Sequence, residues 1–248
     1  MTNSRWLHVP GMYNVRDLGG YPTKDGNTTR WHAFLRADSL DNLTEWDANR
    51  LVAYGVRTAV DLRCTQETID APSAFLSVEG VECYHVNIIG DTDPPGYAEL
   101  QSARLSTAEW TSRLYRVLVD GRQEEICEAL VTLAETAGHT SIFHCATETD
   151  RTGIIAGLLL GLVGVSEETI AEDYALSAIG VRRRVLCEGR PEYLVGKDIN
   201  HPMRLAPRVA MENTLQYLMA QYGGVQPYAE HIGLTDSQIA QIRSVLLE

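Results

Sequence analysis

His144-Cys145-Ala146-Thr147-Glu148-Thr149-Asp150-Arg151-Thr152-Gly153 decides how the chain is read. An apolar, β-like run, Ser141-Ile142-Phe143, leads into it, and a helical run from Ile154 to Leu160 leads out. A strand, a tight loop and a helix start make an anion site. Unpaired backbone N–H groups and the positive end of the helix dipole converge on the loop. Cysteine reacts as its thiolate, and a positive loop favours that form, so Cys145 is a candidate nucleophile.

Phosphoryl transfer needs an in-line nucleophile, stabilisation of three equatorial oxygens and a proton for the leaving oxygen. Cys145 supplies the first. The N–H groups of Ala146, Thr147, Glu148, Thr149, Thr152 and Gly153 supply a nest for the oxygens. Arg151 adds a planar fork that binds two oxygens at once. These parts call for no metal and no other cofactor. A Cys–His protease fits less well, because His144 and Cys145 are sequence neighbours. A zinc site lacks further ligands. His144 is read as a structural residue that orients the loop.

Outward from the loop, the chain has 248 residues, enough for one α/β domain over residues 1–248 with a core that needs no staples. Its net charge of −12 argues against a general binder of nucleic acid or anionic membranes. Any phosphate site must then be a local basic pocket. Five cysteines, with no Cys-x-x-Cys spacing, point to reduced thiols and a cytoplasmic setting. The first residues show no apolar signal-peptide core. The longest uncharged run, Thr152 to Ser166, falls short of the roughly 20 apolar residues a bilayer span requires, and reads as a buried helix.

Along the chain, Gly19-Gly20 and Asp25-Gly26 mark turns, the second suited to a hairpin. Trp31 to Leu35 reads as a strand leading to Arg36. Thr44 caps a helix whose apolar stripe runs through Leu43, Trp46, Leu51 and Tyr54, and Gly55 ends it. Val56 to Leu62 reads as a buried parallel strand ending in Asp61 and Arg63, with Glu67 close behind. Polar residues at such strand ends face the ligand crevice of an open α/β sheet, or they pair only with one another. Val81 to Ile88 is a further strand. The acidic, proline-stiffened loop after it carries Asp91 and Asp93, and is either a mobile acid-bearing loop or a surface turn. Helices are expected over Thr107–Val119 and Gln123–Ala137, after Ser166, and over Ser237–Leu247. Arg16 and Arg36 read as surface or salt-bridge arginines, and Arg182-Arg183-Arg184 as a solvated face or an aid to an anionic substrate.

His144-Cys145-(five residues)-Arg151-Thr152-Gly153 resembles the signature of protein tyrosine phosphatases. Together with Asn14-Val15-Arg16-Asp17-Leu18-Gly19-Gly20, it is similar to the bacterial and fungal tyrosine/serine phosphatase family. Leu35-Arg36-Ala37-Asp38, Asp61-Leu62-Arg63, Asp173 to Ser177 and Tyr222 to Val225 extend the resemblance along nearly the whole chain. The resemblance implies a mostly parallel central sheet flanked by helices, a thiophosphate intermediate and no metal. It implies that Asp150 serves as general acid and then base, with Asp91 or Asp93 as runner-up. Arg16, Asp61 and Arg63 would support the pocket, and a helical lid would lie within residues 173–213. The partner is a phosphorylated substrate: a phosphoprotein or a small phosphate ester such as a nucleotide or sugar phosphate.

One stretch departs from that family. Its loop usually reads Cys-x-Ala-Gly-Lys-Asp-Arg, and this chain has Thr147-Glu148-Thr149 in place of Ala-Gly-Lys. The exchange removes a cation and puts a carboxylate where glycine allows close backbone approach, which disfavours highly anionic substrates. Two explanations stand open: Glu148 accepts hydrogen bonds from hydroxyl or amine groups of a different phosphate ester, or the chain is a non-catalytic phosphate-binding module.

Overall fold

The computed structural model describes residues 4–136, 138–189 and 206–248. In order the elements are β1 (Arg16–Asp17), β2 (Phe34–Ala37), α1 (Glu45–Tyr54), β3 (Val56–Asp61), α2 (Thr65–Asp70), a 3-10 turn (Ala74–Ser77) and β4 (Glu82–His85). Then come α3 (Tyr97–Ser102), α4 (Thr107–Gly121), α5 (Gln123–Glu135), β5 (Thr140–His144) and α6 (Asp150–Leu162). The chain continues with α7 (Glu167–Ala175), α8 (Ser177–Cys187), α9 (Arg208–Tyr222), α10 (Val225–His231) and α11 (Asp236–Leu246). The expected lid region of residues 173–213 lies only partly within the described residues; its described parts are the end of α7, α8 and the start of α9.

The five strands form one sheet in the order β1-β2-β5-β3-β4. Only the β1–β2 pair is antiparallel; β2–β5, β5–β3 and β3–β4 are parallel. The fold is thus α/β with a mostly parallel sheet flanked by helices, as the resemblance implies. The central strands alternate their side chains between two cores. Phe34, Val60 and Phe143 pack with α4, α5, α6 and the C-terminal helices, whereas Leu35, Ala59 and Ile142 pack with α1 and Phe75 of the 3-10 turn. This alternation fixes the site. At the carboxyl end of β5, His144 falls on the α1 side and Cys145 on the α6 side.

Local signals explain most boundaries. Thr44 accepts the Asp47 N–H and opens α1, and Ser166 does the same for α7 through Thr169. Asp25-Gly26 forms its turn, with a bridge between Pro22 and Thr28. α6 is apolar on every side and is buried on nearly every side, which accounts for the long uncharged run.

Two expectations are corrected. β2 begins at Phe34, not Trp31, because His32 takes a left-handed conformation and the Trp31 ring instead covers Gly19 and Gly20, where a Cβ would collide with it. Trp46 is 66% exposed, outside the buried stripe of α1. Its ring lies 5.0 Å from the guanidinium of Arg50, a helical neighbour, which gives it a partner outside the core.

Candidate active site

β5 ends at His144, the loop spans 145–149, and α6 starts at Asp150. The chain therefore turns straight from a buried strand into a helix N-terminus. Thr149 occupies the cap position without making a side-chain cap bond, which leaves the first-turn N–H groups free of a capping oxygen. Cys145 is 1% exposed at the foot of this turn. Thr152 and Gly153 are buried in the first turn of α6, where Gly153 leaves room for the Tyr174 ring; a Cβ there would lie 2.9 Å from it.

Arg151 is held from behind by Glu67. Both guanidinium terminal nitrogens donate to the carboxylate, Nη2 at 3.1 Å to Oε1, and Glu67 also accepts the Cys64 N–H at 2.9 Å. Burial works against both charges. It is outweighed at Glu67 by the Arg151 hydrogen bonds, which pull the carboxyl down to about 2, and at Arg151 by Cys145 and Glu67, which raise it above its usual range. The fork is thus fixed in orientation and always charged, as bidentate recognition of an oxyanion requires. By sequence, Glu67 groups with Asp61 and Arg63. The structure gives it to Arg151 instead; its place three residues after Cys64 signals the cap of α2 but not this partner.

Asp61 and Arg63 form a bidentate pair at 2.7 to 3.1 Å, and Arg63 also donates to Ser39 Oγ at 3.1 Å. His144 Nε2 lies 3.5 Å from Asp61 Oδ2, and Nδ1 lies 3.4 Å from the Cys145 carbonyl. Burial, opposed by Asp61 and aided by Arg63, pushes His144 down to about 4. A neutral imidazole is therefore part of the fold. Above about 6.5 its contribution to stability is complete; as pH falls from there toward 4, the unfolded chain takes a proton that the fold refuses. Asp38, raised to about 6 by burial, works in the opposite direction over the same range. The expected result is read as a difference: wild type loses up to about 3 kcal/mol relative to His144→Asn on acidification, followed by urea unfolding from neutral pH to 4.

Asp150 opens α6 and is half-buried. Its Oδ1 accepts from the Tyr115 hydroxyl at 2.8 Å, and that hydroxyl sits 2.6 Å from the Tyr174 hydroxyl. Burial and the Asp150 charge hold Tyr115 well above the ordinary phenol range, so it remains a donor. Asp91 lies apart from this group, accepting from Thr65 and Asn87 in an exposed loop.

The side chains of Glu148 and Arg16 are enclosed by the chain's own groups. The Glu148 carboxylate has no exposed surface, so it does not receive a substrate hydroxyl or amine. It accepts from Arg16 Nη1 at 3.1 Å, from Arg36 Nε and from Ser177 Oγ at 2.6 Å. The two arginines share Asp173 as a second counterion, and Tyr21 donates to it at 2.6 Å. Both arginines are interior salt-bridge residues, not surface ones. Arg36→Met is expected to cost about 3–5 kcal/mol, since it leaves two buried carboxylates with Arg16 as their one remaining guanidinium; denaturant unfolding at neutral pH measures it. In the basic patch, Arg184 donates to the Ala146 carbonyl at 2.6 Å and pairs with Glu188, and Arg183 lies over Trp6. Thr149 is buried, and its hydroxyl turns back to the Thr147 carbonyl at 3.4 Å. Among the described residues no group of three or more His, Cys, Asp or Glu side chains can hold a metal ion, and no helix is long and apolar enough to cross a membrane.

The model of the tyrosine phosphatase family matches residues 7–248. A tyrosine-protein phosphatase of Nostoc commune is 28% identical over 220 residues, covering 85% of this chain and 73% of that protein. A Cupriavidus necator protein whose name carries the words tyrosine-protein phosphatase is 27% identical over 166 residues, covering 65% of this chain and 59% of that protein. A match of that extent, on a sheet that delivers a Cys-to-Arg loop to a helix N-terminus, means that the chain belongs to the tyrosine phosphatase family, and with it to the phosphoric monoester hydrolases.

Proposed function

We propose that the chain hydrolyses phosphate monoesters through a cysteinyl-phosphate intermediate on Cys145. The observation that carries this reading is the pairing of a buried cysteine with Arg151, whose fork Glu67 holds beside the loop. The Cys145 thiolate attacks phosphorus: the S–P bond forms, the ester P–O bond breaks, and the leaving oxygen takes the proton of Asp150. Water then attacks the phosphoryl group, Asp150 accepts its proton, the S–P bond breaks and inorganic phosphate leaves. Arg151 and the loop N–H groups, rather than a metal ion, balance the phosphoryl oxygens.

A monoester with one phosphate suits this site. Arg16, Arg36, Arg63 and Arg184 are all engaged by acids of the chain, and Thr149 stands where the related loop carries a lysine. A phosphotyrosyl side chain meets that description and agrees with the family; a small metabolite monophosphate meets it too. Steady-state hydrolysis of an aryl phosphate across about pH 5 to 8 tests the reaction, and a panel of phosphotyrosyl peptides, mononucleotides, sugar phosphates and phosphoinositides tests the substrate. Turnover is expected to survive EDTA unchanged. Phosphate binding without turnover anywhere in that range would make the chain a non-catalytic phosphate-binding module instead.

A further inference from the structure

Glu148 is the loop residue whose backbone and side chain both call for a reason. Its φ of +61° lies in the left-handed region that favours glycine and strains glutamate. Strain of this kind persists where surrounding contacts over-determine it. Here they do: the carboxylate ends among Arg16, Arg36 and Ser177, all fully or almost fully buried. Arg16 and Arg36 stand opposite each other in register on β1 and β2. Ser177 opens α8, and Asp173, which completes the charge balance, lies on α7. One side chain thus ties the middle of the loop to the sheet and to α8, and the two arginines it shares with Asp173 link it to α7.

We infer that Glu148 is a positioning residue: held by Arg16, Arg36 and Ser177, it presets the loop to receive an oxyanion before any ligand arrives. The inference rests on the reading of the loop as a phosphate cradle. A cradle whose N–H groups converge only after ligand enters would spend binding energy on ordering itself; a loop pegged at its centre has already done so. Neutral charge is part of the device. Two guanidiniums and two carboxylates share one buried cluster, and a guanidinium left without its counterion would draw the loop's own carbonyls, or the entering anion, out of place.

The experiment uses tungstate, an oxyanion that needs no turnover, titrated calorimetrically into wild type, Glu148→Gln, Glu148→Gly and Ser177→Ala. It is paired with the pH profile of Cys145 alkylation by iodoacetamide, read on the Cys145 peptide. Glutamine keeps the shape and removes the charge; glycine removes the strain and the peg. Charge alone works the other way, because losing a carboxylate beside Arg16 and Arg36 favours both an anion and the thiolate. A cradle that has lost its peg is therefore read as tungstate bound about tenfold more weakly or worse, with the alkylation profile moved to higher pH in spite of the gained positive charge. Folded variants with tungstate affinity within about twofold of wild type and an unmoved profile would overturn the inference. If neither Glu148 variant folds, Ser177→Ala decides, because it keeps the carboxylate but removes the hydroxyl that donates to it and accepts from Arg16 and Arg36: a loss of about threefold or more supports the peg, and a smaller change overturns it. Wild type that binds tungstate but hydrolyses no ester sinks the catalytic reading and leaves this inference standing. Wild type that binds no tungstate sinks the cradle itself, and the inference with it.

Discussion

Cys145→Ser is expected to lower turnover of an aryl phosphate by about 10⁴-fold or more while leaving tungstate affinity close to that of wild type. A serine hydroxyl is a weak nucleophile unless a base takes its proton. The nearest imidazole cannot serve. His144 projects on the α1 side of the sheet toward Asp61, whereas Cys145 follows it onto the α6 side. In the proposed mechanism, Asp150 is committed to protonating the leaving oxygen in the same step. The variant therefore keeps the cradle and loses the attacking atom. Arg151 stays anchored to Glu67, and the N–H groups of the first turn of α6 are untouched, so anion binding persists. Calorimetry with tungstate and steady-state rates on the same preparations separate the two effects. Residual turnover above about a hundredth of wild type, with tungstate binding intact, would show that the thiol is not the nucleophile.

The sequence reading succeeded where the signal is local. A β-like run, a Cys-to-Arg loop and an apolar helix are adjacent in the chain, and the structure sets them in that order as β5, loop and α6. The caps at Thr44 and Ser166 and the strand from Val56 to Asp61 are local too. What escaped the reading depends on partners far apart in sequence. Glu67 reaches Arg151 across 84 residues, and Arg16 reaches Glu148 across 132. No spacing rule announces either pair. Glu148 was harder still, because glutamate at a position that favours glycine reads as a change in the substrate site until its tertiary partners are seen. Trp46 shows the opposite failure. Its helical spacing matched an apolar stripe, but periodicity of four residues in a short helix does not say which flank of the stripe the core covers.

Asp150→Asn tests the proton rather than the phosphorus. The side chain sits at the start of α6, next to Arg151 in sequence, and the Tyr115 hydroxyl holds one carboxylate oxygen at 2.8 Å. Tyr115 keeps its own proton and is tied to Tyr174, so its part is to orient Asp150. Asparagine fits the same place and still accepts that hydrogen bond, but it has no proton to give and cannot take one from water. The size of the loss must then follow the leaving group. A nitrophenolate departs readily without protonation, and its release is expected to slow by less than about tenfold; an alkyl or tyrosyl oxygen needs the proton, and its release is expected to slow by about 10²–10⁴-fold. Both are read from phosphoenzyme formation in rapid-quench experiments, because on the proposed mechanism the second, hydrolytic step also loses its base and slows for every substrate alike. Equal slowing of the first step with good and poor leaving groups would remove Asp150 as the acid. Attention would then turn to Asp91 and Asp93. Asp91 has its carboxylate engaged by Thr65 and Asn87 in an exposed loop, which is why Asp91→Asn is expected to leave both rates unchanged.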